Sequence, residues 1–330
     1  MESPFPKSSS SAGEGRIIVD LLPNRLSTLE HISYQYPLKL ISPSPKTDQP
    51  SVLVFLLSYG GGLVGGDQVN LSVEVRPGAK LSMVTQGHTK IFQSVSPHVV
   101  TRQGLQVELK RHAAFCLLPD PVQPFESSVY EQIQTFNVAF GASLCLLDWV
   151  THGRSARGEN WSLTRWVGRN EIWASEAPKL SKPRLLVRDA IVLDGKERST
   201  QLRTLQESMY KHAVVGTLVL RGPMMKSLGD FFLSEFAALP RLGARDFRSA
   251  ETRQKEAATP RLPIETWRAT RLAQEQESNL LWSAASVRGC VVVKFGAATV
   301  EAGRNWIGSM LLQEGSLERE FGEAALMCIR

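Results

Sequence analysis

The chain has 330 residues, enough for two average domains or one large β-rich domain. Hydrophobic residues make up 42 % and charged residues 21 %, which excludes collagen-like, coiled-coil and largely disordered architectures, and the longest aliphatic or aromatic run, Val52 to Leu57, is far below the ~20 residues of a membrane-spanning helix. The net charge of +6 and pI near 9.2 are partly local, with eleven Lys/Arg against six Asp/Glu between Arg154 and Arg203, which suits one basic face against an acidic partner.

Residues 1–15, MESPFPKSSSSAGEG, are Ser- and Pro-rich and read as a disordered tail before a single folded domain over 16–330. Glu2 and the serine run stand where a signal peptide would be basic and apolar, so a cytoplasmic location is expected. From there the dominant signal is period-two alternation, the mark of half-buried strands. Val69, Leu71, Val73 and Val75 alternate with polar residues, Pro77-Gly78 supplies a turn, and Leu81, Met83 and Thr85 begin a return strand. Further strands are predicted over 105–109, 113–118, 133–140, 144–150, 161–167, 184–193, 214–220 and 290–295. Helix signals come late: Pro223 at a first helical position ahead of Leu228, Phe231, Phe232, Phe236 and Leu239, and a terminal helix near 302–313 carrying Trp306, Met310 and Leu311. The stretch 241–263 is polar and reads as a solvated excursion.

The segment Gly60-Gly61-Gly62-Leu63-Val64-Gly65-Gly66-Asp67 contains G-x-G-x-x-G. A dinucleotide site, and with it a nucleotide-dependent oxidoreductase, would need a helix N-terminus directly afterwards to hold the pyrophosphate, whereas an alternating strand follows. The glycines are expected to supply positive φ and close backbone approach at a corner, with Asp67 either capping the turn or pointing into a polar cavity. Gly153-Arg154-Ser155-Ala156-Arg157 lacks the last glycine of a nucleophile elbow. Asp148, His152 and Glu159 lack the second histidine of a zinc helix. Leu118 to Phe125 holds three prolines, Pro119, Pro121 and Pro124, and is expected to be a rigid exposed connector, neither helix nor interior strand. Cys116, Cys145, Cys290 and Cys328 have no metal-type spacing and are expected to be buried reduced thiols. A basic nucleic-acid-binding module would need an RRM-type signature, zinc finger or basic helix, and none is present.

Four pieces in order resemble the urease accessory protein UreD family, called UreH in some bacteria: GGGLVGGD at Gly60 to Asp67, TQGHTKIF at Thr85 to Phe92, LPDPVQPF at Leu118 to Phe125, and LDWVTHGRSARGE at Leu147 to Glu159. VRGCVVVKFG near the C-terminus fits less sharply, and in the second motif Val84 and His88 replace a threonine and a small residue usual in the family. The resemblance implies stacked β-sheets in a β-helix-like arrangement with a few helices. It also implies a non-enzymatic maturation factor with no tightly bound cofactor, no membrane and no nucleic-acid partner. Such a factor binds apo-urease and recruits UreF and, through it, the GTPase UreG for insertion of transient Ni²⁺. Asp67, Thr85, Gln86, His88, Asp148 and Glu159 are then expected to line an interior polar passage for the ion. The alternative is that these acids cap turns and pair with Arg154 or Arg157. Gly60, Gly61, Gly62, Gly65, Gly66, Pro119, Pro121, Phe125, Gly153, Arg154 and Gly158 are the structural residues of the motifs.

Overall fold

Alternation in the sequence becomes alternation in burial: Val69, Leu71, Val73 and Val75 are buried, while Gln68, Asn70 and Ser72 are exposed. The computed structural model describes residues 11–44, 49–175, 183–195, 203–239 and 262–330.

The chain opens with β1 (Glu14–Leu21), β2 (Ser27–Tyr34) and β3 (Leu38–Ile41), then winds between two sheets. β4 (Val52–Ser58) lies in the inner sheet, β5 (Gln68–Val75) in the outer and β6 (Lys80–Val84) in the inner. The short β7 (Thr89–Ile91) is followed by β8 (Thr101–Leu109) in the outer sheet and β9 (Ala114–Leu117) in the inner. After the short β10 (Val122–Pro124) come β11 (Val129–Ala139), outer, β12 (Ser143–Thr151), inner, and β13 (Arg165–Ser175), outer. Each turn stacks in parallel on the one before: β5, β8, β11 and β13 pair in series on one side, and β4, β6, β9 and β12 on the other. β14 (Arg184–Asp194) closes one edge of the outer sheet antiparallel to β13. β15 (Val214–Arg221), β16 (Leu281–Val287) and β17 (Cys290–Ala297) extend the inner sheet beyond β12 in the order β16-β17-β15-β12. The molecule is thus mainly β, two stacked mixed sheets wound like a β-helix.

The helices are α1 (Leu205–Ser208), α2 (Lys226–Ala237), α3 (Pro263–Glu277), α4 (Val300–Glu314) and α5 (Ser316–Phe321). Residues of α2, α4 and α5 pack on the outside of the inner sheet, which is therefore covered on both faces. All nine residues of β12 are buried: Leu144, Leu146 and Val150 enter the core between the sheets, and Cys145, Leu147 and Trp149 the core beneath the helices. α3 is held by charge. Arg268 donates to Glu235 Oε1 of α2, and Arg271 Nη2 donates to Glu235 Oε2 at 3.2 Å. Arg271 also donates to Glu275 at 2.6 Å, which accepts from Trp306 Nε1 at 2.9 Å. Among the described residues no helix is long and apolar enough to cross a membrane.

Several expectations need correction. Glu14 and Gly15, assigned to the N-terminal tail, already belong to β1, while residues 1–10 lie outside the described residues. The strand expected from Trp161 begins only at Arg165, because Trp161 turns at φ 57° and anchors its ring nitrogen on His212 O at 2.9 Å. Leu118 to Phe125 is not an exposed connector: Asp120, Val122 and Phe125 are buried, and β10 pairs with β7 and, through Val122, with β12. A three-residue strand demands few donors; Phe125 N–H reaches Ile91 O at 2.9 Å, so the prolines do not break it. Of the polar stretch 241–263, residues 241–261 lie outside the described residues, and Pro263 opens α3. The cysteines are all buried and free.

Replacing Glu235 by Leu leaves Arg271 buried with half its counter-charge, and is expected to cost about 3–5 kcal/mol. Urea unfolding measures it. Lys226→Ala, which removes only an exposed pair to Asp230, is expected to leave the midpoint unchanged.

Candidate functional site

The glycine segment carries the chain from β4 across to β5. Gly60, Gly61 and Gly66 stand at φ 69°, 74° and 94°. At Gly62 the constraint is space, since a Cβ there would lie 2.5 Å from the Phe92 ring and 2.8 Å from Lys90 O. The segment thereby packs beside β7, with Leu63 N donating to Lys90 O at 2.8 Å and Phe92 N to Leu63 O at 2.9 Å. Asp67 caps its turn, its Oδ2 accepting from Val64 N at 2.8 Å. Strand β5, not a helix, follows directly, so the chain after the glycines offers no helix N-terminus for a pyrophosphate.

The second and third motifs meet at Asp120, 7 % exposed. Its Oδ2 accepts from Thr85 Oγ1 at 3.2 Å and from Gly87 N at 2.9 Å. Its own N–H donates back to Thr85 Oγ1 at 2.7 Å, and Arg304 of α4 donates to Oδ1 at 2.7 Å. The C-terminus joins the same knot, with Cys328 Sγ donating to Thr85 O at 3.3 Å and Arg304 donating to Cys328 O. Burial pushes the Cys328 thiol up to about 12. This knot fixes residues 85–89, which line a cavity of about 230 Å³ with Lys39, Leu63 and Gln103. Gln86 and His88 face it; burial holds the His88 imidazole below its usual 6.5, against the pull of Asp120.

The fourth motif holds itself to the third. Glu159, 5 % exposed, accepts from Arg154 N and Arg154 Nε, each at 2.8 Å, and the Arg154 guanidinium lies 3.8 Å over the Phe125 ring. Gly153 and Gly158 turn at φ 107° and 78° to close this loop.

A polar row leaves the cavity and runs between the sheets. Gln103, on its wall, has its Oε1 3.2 Å from Tyr130 Oη, which lies 3.1 Å from Gln132 Oε1. Gln132 Nε2 donates to Asp148 Oδ1 at 2.9 Å, and Asn170 Nδ2 donates to Asp148 Oδ2 at 2.7 Å. Strand register continues the row: Asp189 pairs with Asn170 in the outer sheet, and Thr217 and then Lys294 stand beside Asp148 in the inner. Lys294 Nζ closes the far end on Asp189 Oδ1 at 2.5 Å. Burial pushes the Asp148 carboxyl above its usual range, and the two amide hydrogen bonds only partly offset it.

Of the residues expected to form a passage, Thr85, Gln86 and His88 line the cavity and Asp148 lies in the row. Asp67 and Glu159 do neither; their hydrogen bonds match the alternative of turn cap and Arg154 partner. Asp120, Arg304, Gln103, Gln132, Asn170, Asp189 and Lys294 escape sequence reading. One signal was available: Gln132 and Gln134 interrupt the alternating Tyr130, Phe136, Val138 face of β11. Among the described residues no three His, Cys, Asp or Glu side chains are grouped to hold a metal. A larger groove of about 780 Å³, lined by Arg16, Asn70, Gln106 and Thr135 on the far side of the outer sheet, contains none of the motifs.

The family model described as UreD urease accessory protein matches residues 12–328. An uncharacterized urease accessory protein ureD-like of Schizosaccharomyces pombe is 32 % identical over 295 residues, covering 89 % of this chain and 91 % of its own. Urease accessory protein 4 of Cryptococcus neoformans var. grubii is 29 % identical over 332 residues, with 92 % and 91 % covered. Urease accessory protein UreD of Sorangium cellulosum is 34 % identical over 226 residues, with 68 % and 67 % covered. These matches define the class first, an accessory protein serving the maturation of another enzyme. The chain belongs to the UreD urease accessory protein family, and its role lies in urease maturation.

Two outcomes test the contrast between the acids. Arg154 and the backbone outweigh burial and hold Glu159 below the usual 4.5, so its stabilisation is complete above that value and lost as pH falls through the depressed one. The urea midpoint of the wild type should exceed that of Glu159→Gln at pH 7 and converge with it in acid. For Asp148 the sign reverses: the raised value means the fold loses stability as pH rises above 3.8 and the carboxyl ionises. Asp148→Asn is expected to match or exceed the wild-type midpoint at pH 7.5; a lower one would contradict the unfavourable burial of that charge.

Proposed function

We propose that this protein, acting in the cytoplasm and performing no bond chemistry of its own, binds apo-urease and recruits UreF and, through it, the GTPase UreG. Ni²⁺ then travels to urease along the polar row inside the molecule. The observation that supports this most is the row itself. Uncompensated polar groups are costly between apolar sheets, yet Gln103, Tyr130, Gln132, Asp148 and Asn170 form one chain from a cavity lined by residues of the first two motifs toward the sheet edge. Such a lining suits transit. Amide and carboxylate oxygens hold a divalent ion less tightly than a His/Cys cluster, and several weak positions let it leave as readily as it arrives. A protected route also keeps the ion from competing ligands. In this scheme Thr85, Gln86 and His88 stand at the mouth, Asp148 at mid-course, and Asp67 and Glu159 shape the motif loops around it.

Co-expression with UreF, UreG and the urease subunits tests the proposal. Gln132→Leu keeps the volume and removes the central amide; complexes are expected to co-purify while nickel per urease active site falls several-fold. Full nickel loading by that variant would remove the passage, and absence of co-purification by the wild type would remove the partnership. Equilibrium dialysis against NAD(P) and ATP is expected to show no saturable binding; saturable binding would favour the glycine segment as a nucleotide site.

A further inference from the structure

The row contains two oxygens with nothing to do. Asn170 Oδ1 and Thr217 Oγ1 have no hydrogen-bond partner among the described residues, although each residue is only 1 % exposed. Buried acceptors left unmet are unfavourable and call for an occupant. Their placement is not scattered. Thr217 stands directly beside Asp148 in the inner sheet, and Asn170, which donates its amide to Asp148, stands directly beside Asp189 in the outer sheet. Two carboxylates thus flank the orphan oxygens, and Lys294 is the cation that meets them, paired with Asp189 and felt by Asp148. Its side chain is 49 % exposed, so the flexible stem can swing the ammonium out to solvent without disturbing the sheets.

We propose that the oxygens of Asp148, Asn170, Thr217 and Asp189 form a station for one hydrated divalent cation, and that the Lys294 ammonium is a resident counter-ion displaced when the cation arrives. The donor set is all oxygen, hard and without thiolate or imidazole, which suits an ion that keeps part of its water shell. Lys294 keeps the site charge-compensated when empty and lowers its apparent affinity, because only the fraction of molecules with the lysine swung out can bind. The station deepens the transfer role proposed above and rests on it for its biological meaning, but its binding chemistry belongs to this chain alone.

The test uses the full-length chain and NiCl₂ alone, in metal-free buffer at pH 7.5, by equilibrium dialysis. Removing the competing ammonium in Lys294→Met is expected to tighten Ni²⁺ binding by about tenfold or more. Lys294→Arg, which keeps the charge, should bind like the wild type. Adding Thr217→Val to Lys294→Met removes one oxygen at constant volume and should reverse most of the gain. Urea midpoints establish that each variant is folded. Binding by Lys294→Met no tighter than by the wild type, or unaffected by Thr217→Val, would overturn the station and leave the orphan oxygens to ordered water. The two proposals fail separately. Tighter binding by Lys294→Met, together with full urease loading by Gln132→Leu, keeps the station and removes the passage; unchanged binding together with lost loading does the reverse.

Discussion

In-register parallel stacking is the constraint on which the rest of this molecule depends. Because β5, β8, β11 and β13 pair residue for residue, side chains at one level of successive turns fall in line across the sheet. Val73, Val107, Phe136 and Ile172 make one such line, and it is apolar. Leu71, Leu105, Gln134 and Asn170 make the next, and Val69, Gln103, Gln132 and Gly168 the one beyond. A change from apolar to polar at a given level is therefore not an isolated defect; it becomes a row, and the inner sheet answers it with Asp148, Thr217 and Lys294.

Three buried carboxylates illustrate how environment separates support from function. Asp120 has Arg304 and Glu159 has Arg154, each with additional backbone hydrogen bonds; the first pair spans 184 residues of chain, while the second closes its own loop. Arg304 joins the helical layer and the C-terminus to the second and third motifs, while Arg154 lies over Phe125 and joins the fourth to the third. Among the described residues no guanidinium reaches Asp148; two amides are its direct hydrogen-bond partners, and burial disfavours its charge. A group whose charge the fold disfavours is a poor staple and a good place for a passing cation.

The family assignment and the physical description meet at the motifs. Glycines 60 to 66, residues 85 to 89, residues 118 to 125 and the 153 to 159 loop are separate in sequence and adjoin one another in space, through the contacts of Leu63 with β7, Thr85 with Asp120, and Phe125 with Arg154. The first two line the cavity that opens on the polar row, the third holds the second through Asp120, and the fourth holds the third through Arg154 and Phe125.

Much of this was legible in the sequence. Period-two alternation marked most of the strands of the winding, the apolar spacing after Pro223 marked α2, and the absence of a helix after Gly66 ruled against a nucleotide loop. These signals are local, set by which side chains must leave water. Other features depended on what lies across the gap. Glutamine at positions 132 and 134 interrupts an apolar alternation, but what the two side chains meet is undecided until β8 and β13 fix the register of β11 and the inner sheet brings Asp148 to Gln132. Nor do the prolines of 118 to 125 announce a buried strand until β7 and β12 offer it partners. Position along the chain could not rank Asp67, Glu159 and Asp148, because a carboxylate's role is decided by whether a guanidinium, a turn amide or only uncharged amides reach it, and that is set by tertiary packing.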